Sequence, residues 1–298
     1  MKSVKSLDKI VARMVGLVFP LETIPMHLYI PTLNRSGKQK TLANFPPELC
    51  ESSCLVINHA DYKPNRDIYK GYAETYGCGI IIVPPSITGI ARVREYIGQR
   101  AAADKVRKFI MVDDDLSFFH RENGDIKHLY KNTPKDTLAA FTKLDELLDT
   151  YAHASISMRQ GNNHDTNHKP GHPFRYNTRY VRVLGFQTKP FNSCIHGRVN
   201  VMEDFDVSLQ LLEKGYQSIV MFEWAQDQAH TQDPGGCSTY RTHQMQEEAA
   251  RQLMKLHPGL ISLKLRRNST GGEFGARYDV VVQWQKAYQD PTKKRSFF

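Results

Sequence analysis

Phe109-Ile110-Met111-Val112-Asp113-Asp114-Asp115 sets an apolar run directly against three carboxylates. Such a run suits a short strand buried on both faces, as in a parallel sheet covered by helices. In open sheets of that kind, ligands bind beyond the carboxyl ends of the strands. Three acids there repel one another unless a cation or hydrogen-bond donors offset the charge. Hard divalent ions take oxygen ligands, often one or two carboxylates together with substrate phosphates. The stretch therefore reads as a metal and diphosphate site, or as a solvated strand end held by capping bonds.

The sequence on either side repeats the strand pattern. Residues 26–31, 55–58 and 80–83 are apolar runs, and 64–76 and 88–103 between them have helical patterning. Strands alternating with helices imply βαβ units. A helix is predicted over 134–151, with Thr133 as N-cap, Pro134 at the first position, and a stripe of Leu138, Phe141, Leu144 and Leu148. Further strands are expected over 154–158, 178–186 and 217–222, and helices over 203–214, closed by Gly215, and over 243–256. Residues 260–267 and 278–284 read as two strands around a glycine-rich loop. The expected fold is α/β: a mostly parallel sheet flanked by helices over 1–240. Residues 241–298 would add a helix and β-hairpin extension packed on the same domain.

Composition narrows the function. The net charge of +9 favours polyanionic or phosphorylated partners. Five cysteines form no paired framework, which points to a reducing, cytoplasmic setting. No run of 18 apolar residues suggests a membrane span. Arg13 interrupts the apolar stretch at 10–19, which reads as an amphipathic helix and not a signal peptide. Residues 159–177 hold His164, His168 and His172, but Pro170 and Gly171 argue against a helix that would align them, so a flexible loop is expected.

A second acidic group, Glu203-Asp204-Phe205-Asp206, opens a helix. Acids in a first turn complement the helix dipole. Beside a metal site, one of them could also deprotonate an acceptor hydroxyl. In the 233–241 stretch, Gly235 and Gly236 would let backbone amides approach an anion and Arg241 would bind phosphate; the alternative is a surface turn. Phe174, Arg175, Tyr176, Arg179, Tyr180 and Arg182, with Lys264, Arg266 and Arg267, combine cations for phosphates with rings for exposed bases.

Four segments together resemble the GT-A glycosyltransferases. Ile30-Pro31-Thr32-Leu33-Asn34-Arg35 is similar to their opening strand and loop. Gly89-Ile90-Ala91-Arg92 resembles their glycine–arginine segment, and Asp113-Asp114-Asp115 their Asp-x-Asp motif. Glu203-Asp204-Phe205-Asp206, followed by Gly215-Tyr216, is similar to their acidic helix. The resemblance implies that Thr32, Asn34, Arg35, Arg92, Asp113, Asp114 and Arg241 serve the donor nucleotide. It implies Asp115 and Asp113 as ligands of Mn²⁺ or Mg²⁺, with His230, or else His243, completing the set. Asp204 would be the base if the enzyme inverts the sugar carbon, and Glu203 the less favoured alternative. The donor would be a nucleotide-sugar, most simply a UDP-sugar.

The Asp-Asp-Asp strand, the Glu-Asp-Phe-Asp helix and the Gly235-to-Arg241 segment resemble the TET-associated glycosyltransferases of bacteriophages in particular. That implies a 5-hydroxymethylated pyrimidine in phage DNA as acceptor, host cytoplasm as location, and a base flipped from the duplex to be modified. The alternatives are a protein or polysaccharide acceptor, a nucleotidyltransferase, and a non-catalytic basic DNA-binding protein.

Overall fold

The computed structural model describes residues 26–122, 128–158, 173–228, 236, 241–267 and 276–292. Ten strands form one sheet: β1 (Leu28–Thr32), β2 (Ser53–Asn58), β3 (Gly79–Val83), β4 (Lys108–Val112), β5 (Leu116–His120), β6 (Tyr130–Lys131), β7 (His153–Met158), β8 (Phe174–Tyr176), β9 (Val183–Gln187) and β10 (Ser218–Gln228). Their order is β3-β2-β1-β4-β9-β7-β10-β5-β6, with β8 also on β10. The β1–β4 block is parallel. β9 runs against both β4 and β7, and β5 and β8 run against β10. The remaining strands share one direction, so the sheet is mostly parallel.

Burial explains why these segments are strands. All five residues of β1 are buried, as a central parallel strand requires. On one face, Leu42, Leu49, Tyr69, Phe141 and Leu144 bring the Lys40–Asn44, Pro47–Glu51, Arg66–Tyr76 and Pro134–Leu147 helices onto β1, β4 and β7. On the other, Val93, Ile97, Phe191 and Leu211 bring the Ile90–Ala103, Thr188–Asn192 and Glu203–Glu213 helices onto the same strands. Thr133 caps its helix with Asp136 in a reciprocal capping box. Gly215, at φ +82°, ends the Glu203–Glu213 helix as only a residue without a Cβ does readily.

The Glu203–Glu213 helix buries a second side. Leu209 and Leu212 meet Ala249 and Leu253 of the His243–Leu256 helix, and Ile261 of β11 (Ile261–Arg267), which pairs with β12 (Ala276–Val282). The C-terminal helix and hairpin therefore share a core with the acidic helix.

Several elements differ from expectation. The strand predicted over 178–186 begins only at Val183, because Arg182 adopts φ +68° and turns the chain. Residues 174–176, expected within a loop, pair with β10, and Phe174 packs against the core. The strand expected over 217–222 continues to Gln228 past a register shift between Met221 and Ala225. β5 was not anticipated. The expected N-terminal helix, the three spaced histidines and most of the 233–240 segment lie outside the described residues. Among the described residues, Cys50, Cys54, Cys78 and Cys194 are buried and free. No described helix is long and apolar enough to cross a membrane.

Candidate active site

The three acids lie where the chain leaves β4 and reverses into β5. Their backbone is pinned from both sides. Asp113 N–H donates to the Arg182 carbonyl at 2.9 Å. Thr41 Oγ1 donates to the Asp113 carbonyl at 2.6 Å, and the amides of Lys40 and Thr41 donate to that of Asp114 at 3.1 Å.

The carboxylates then diverge. Asp114 turns inward, accepts from Thr32 Oγ1, and lies 3.4 Å from Arg35 Nε. Burial pushes its pKa up to about 7, against the opposing pull of Thr32 and Arg35. Asp115 is also buried, and its Oδ2 accepts from Arg35 Nη2 at 2.9 Å and Gln228 Nε2 at 2.6 Å. Its Oδ1 is buried without a hydrogen-bond partner among the described residues. Asp113 is the most open of the three and lies 3.1 Å from Arg94 Nη2. Burial raises its pKa, with Arg94 opposing and Asp115 adding to the rise.

Arg94 also joins the two acidic motifs. Its Nη1 donates to Glu203 Oε1 at the start of the acidic helix. Glu203 is buried, and burial raises its pKa against the attraction of Arg94. Asp204, beside it, remains half-buried. Around this pair, Arg179 packs over the Phe205 ring at 4.8 Å, and the field of Arg241 reaches Glu203. The Nε atoms of Arg179 and Arg241 are buried without partners among the described residues.

Asp206 has a different fate. It is buried and accepts from Arg198 Nε at 3.1 Å, Gln210 Nε2 at 3.2 Å and His257 Nε2 at 2.8 Å. These bonds face the C-terminal extension, so Asp206 joins the acidic helix to that extension and takes no part in the acid turn.

The loop after β1 brings three more predicted residues to the site. Thr32 and Arg35 touch the acid turn directly. Asn34 adopts φ +53°, and its amide donates to Asp61 Oδ2 at 2.6 Å. Tyr69 Oη and Asn65 Nδ2 hold that carboxylate at 2.7 and 3.0 Å. Gly236 N–H reaches the Leu33 carbonyl at 2.7 Å, so the glycine-bearing segment touches the same loop.

Arg92 stands apart from this group: its side chain is 55% exposed and pairs with Glu95 at 2.7 Å. Arg94, two residues on, enters the site instead. The sequence holds a usable signal for it, since Ala91, Arg94, Gly98 and Ala101 share one helical stripe and the other three are buried. Tyr180 is 4% exposed, so it presents no ring to a nucleic-acid base. His230 lies outside the described residues. Among those described, no three His, Cys, Asp or Glu side chains converge as a metal-binding set. The orphaned Asp115 Oδ1, a hard oxygen beside a second carboxylate, nonetheless fits a divalent cation.

The acid turn stands at the carboxyl end of β4 in a mostly parallel sheet flanked by helices, the α/β fold expected from the sequence. The chain belongs to the TET-Associated Glycosyltransferase family, whose model matches residues 26–236. It is similar to the beta-glucosyl-HMC-alpha-glucosyl-transferases of Enterobacteria phages T6 and T2. Each is 24% identical over 259 residues, covering 82% of this chain and 87% of the relative. Solved structures similar to it include GalNAc-T7 with UDP, GalNAc and Mn²⁺ (10% identity, 77% of this chain, 48% of that one, TM-score 0.45). UDP-glucose pyrophosphorylase with UDP-glucose is another (8% identity, 68% and 92%, TM-score 0.38).

Proposed function

We propose that this glycosyltransferase moves a hexose from a UDP-sugar to a hydroxymethylated cytosine in phage DNA, with a divalent metal at the donor diphosphate. The single observation that carries the reading is Arg94, which ties Asp113 of the acid turn to Glu203 of the acidic helix. It ties the acid turn to the residue beside Asp204, the candidate base. The acceptor class comes from the names of the T6 and T2 relatives, in which HMC denotes hydroxymethylcytosine. Residues 1–240 form the catalytic part and 241–298 an extension packed on it.

The residues divide the work as follows. Thr32, Asn34 and Arg35 line the loop that receives the nucleotide. Asp115 and Asp113 would hold the cation, and His230 is the candidate third ligand. The bound ion would offset the charge that develops on the departing diphosphate. In a reaction that inverts the sugar carbon, Asp204 takes the proton from the acceptor hydroxyl as its oxygen bonds to the sugar C1 and the C1–phosphate oxygen bond breaks; in a retaining reaction Asp204 has another role. Glu203 is tied to Arg94, whereas Asp204 has no such tether among the described residues, which favours Asp204 as base. Arg241 faces the leaving group. Arg179, Arg182 and exposed Lys264 supply positive charge for a DNA backbone.

The test is the identity of the released nucleotide. With UDP-glucose, Mn²⁺ and hydroxymethylcytosine DNA, the reading requires UDP. Pyrophosphate from a nucleoside triphosphate and sugar phosphate would instead make the protein a nucleotidyltransferase.

A further inference from the structure

We infer that Gln39 Oε1 reads the donor nucleobase, accepting the imide N–H of uracil in a cleft between the β1 loop and Tyr72–Tyr76. The inference rests on the nucleotide-sugar reading above and specifies which base the site accepts.

The cleft encloses about 390 Å³. One end holds Asp115 of the acid turn and Arg35 of the β1 loop, and Lys38 and Lys40 also line the cleft. The other end is aromatic: the Tyr72 and Tyr76 rings lie 6.2 Å apart and within 26° of parallel. Phosphates at the cationic end would put a base against the tyrosines, where stacking tolerates any base. Discrimination therefore needs a polar group on the wall of the cleft, and Gln39 is one of its lining residues.

A chain of hydrogen bonds fixes the Gln39 amide. Thr32 Oγ1 has one hydrogen and gives it to the Asp114 carboxylate. With Asp114 in its charged form beside Arg35, the Thr32 oxygen accepts from its other neighbour, Gln39 Nε2, at 2.6 Å. A flipped amide would set two acceptors against each other. Oε1 is thus directed away from Thr32. It is buried with no hydrogen-bond partner among the described residues, on a side chain only 5% exposed.

A buried amide oxygen without a donor is costly, and a ligand that supplies one is favoured. Uracil carries its ring N–H between two carbonyls and meets that need. Cytosine has a bare nitrogen acceptor at the same position and would oppose Oε1. Sites built to bond one N–H reject analogues lacking it far more strongly than apolar pockets reject a missing methyl.

The experiment is calorimetric binding of UDP, CDP and N3-methyl-UDP to the full chain with Mn²⁺, alongside Gln39→Leu. UDP should bind at least tenfold more tightly than CDP or N3-methyl-UDP, and Gln39→Leu should abolish that preference. The methylated ligand poses the question to the unaltered protein, so a Gln39→Leu chain that fails to fold does not blunt the test. Equal affinity for UDP and N3-methyl-UDP overturns the inference while leaving the donor reading intact. Absence of binding by any of the three, with no UDP-sugar turnover, overturns the donor reading and the inference with it.

Discussion

Arg94 Nη2 stands 3.1 Å from Asp113 Oδ1, although the two residues belong to a helix on one face and a strand end in the sheet. The same guanidinium bonds Glu203, 109 positions further along the chain. Burial raises the pKa of both carboxylates, and a single cation opposes that rise in each. The acid turn and the start of the acidic helix consequently share one fixed point.

That relationship makes Arg94 a sensitive site. Arg94→Met should destabilise the fold by about 3–5 kcal/mol, because it leaves buried carboxylates unpaired. Arg94→Lys keeps the charge but cannot span both acids with a planar fork, and should lower kcat at least tenfold while the chain still folds. Thermal melting and steady-state kinetics check both outcomes. An Arg94→Met melting temperature equal to that of the unaltered chain would contradict the bridge.

The two acids opening the helix should separate kinetically. Asp204→Asn should lower kcat by roughly 10²–10⁴-fold with donor KM within about twofold, as loss of a general base does. Glu203→Gln removes half of the Arg94 bridge and should act mainly on stability. The reverse pattern, an active Asp204→Asn and a folded, inactive Glu203→Gln, would transfer the base assignment to Glu203.

The proposed metal is tested at the orphaned oxygen of Asp115. A chelator should abolish transfer and Mn²⁺ should restore it. Asp115→Asn should cost about 10²-fold or more without unfolding the chain, since Asn keeps an acceptor for Gln228. Full activity in the chelator, or in Asp115→Asn, would remove the ion from the account.

The Asp206–His257 contact should make stability pH-dependent. Burial of His257 opposes its protonation, but bonds to Asp206 at 2.8 Å and Glu213 at 3.0 Å outweigh it and hold its pKa above 6.5. A raised folded-state pKa means the native chain binds more protons than the unfolded one, so stability falls as pH rises. The contribution is complete below 6.5 and lost as pH climbs through the folded value. Melting temperature should therefore drop above pH 6.5, and His257→Gln should flatten that part of the curve. A slope that survives His257→Gln would place its origin elsewhere.

The sequence exposes the parallel half of the sheet because β1, β2 and β4 centre on the apolar runs 28–31, 55–57 and 109–112, of a kind that fits little else. β5 was hidden, since its alternation of buried Leu116 and Phe118 begins directly after three acids that read as a loop. The acid motifs are visible as clusters, but their division of labour is not. Asp204 and Asp206 lie two positions apart on one helix, and only the packing of the C-terminal helix shows that Asp206 is tied to His257. Thr32 and Asp114 bond across 82 positions, a contact that composition and periodicity cannot carry. Arg92 was the arginine suggested by motif spacing, whereas the buried stripe of its helix selects Arg94.

The most direct measurement is mass analysis of nucleosides from DNA treated with the protein, UDP-glucose and Mn²⁺. Three duplexes would be compared: plain, hydroxymethylcytosine-bearing, and already glucosylated on hydroxymethylcytosine, each with the unaltered chain and with Asp204→Asn. The account predicts one added hexose on a modified duplex, none on plain DNA, and near-complete loss in Asp204→Asn. UDP release with no hexose on any duplex, or equal product from Asp204→Asn, would contradict it.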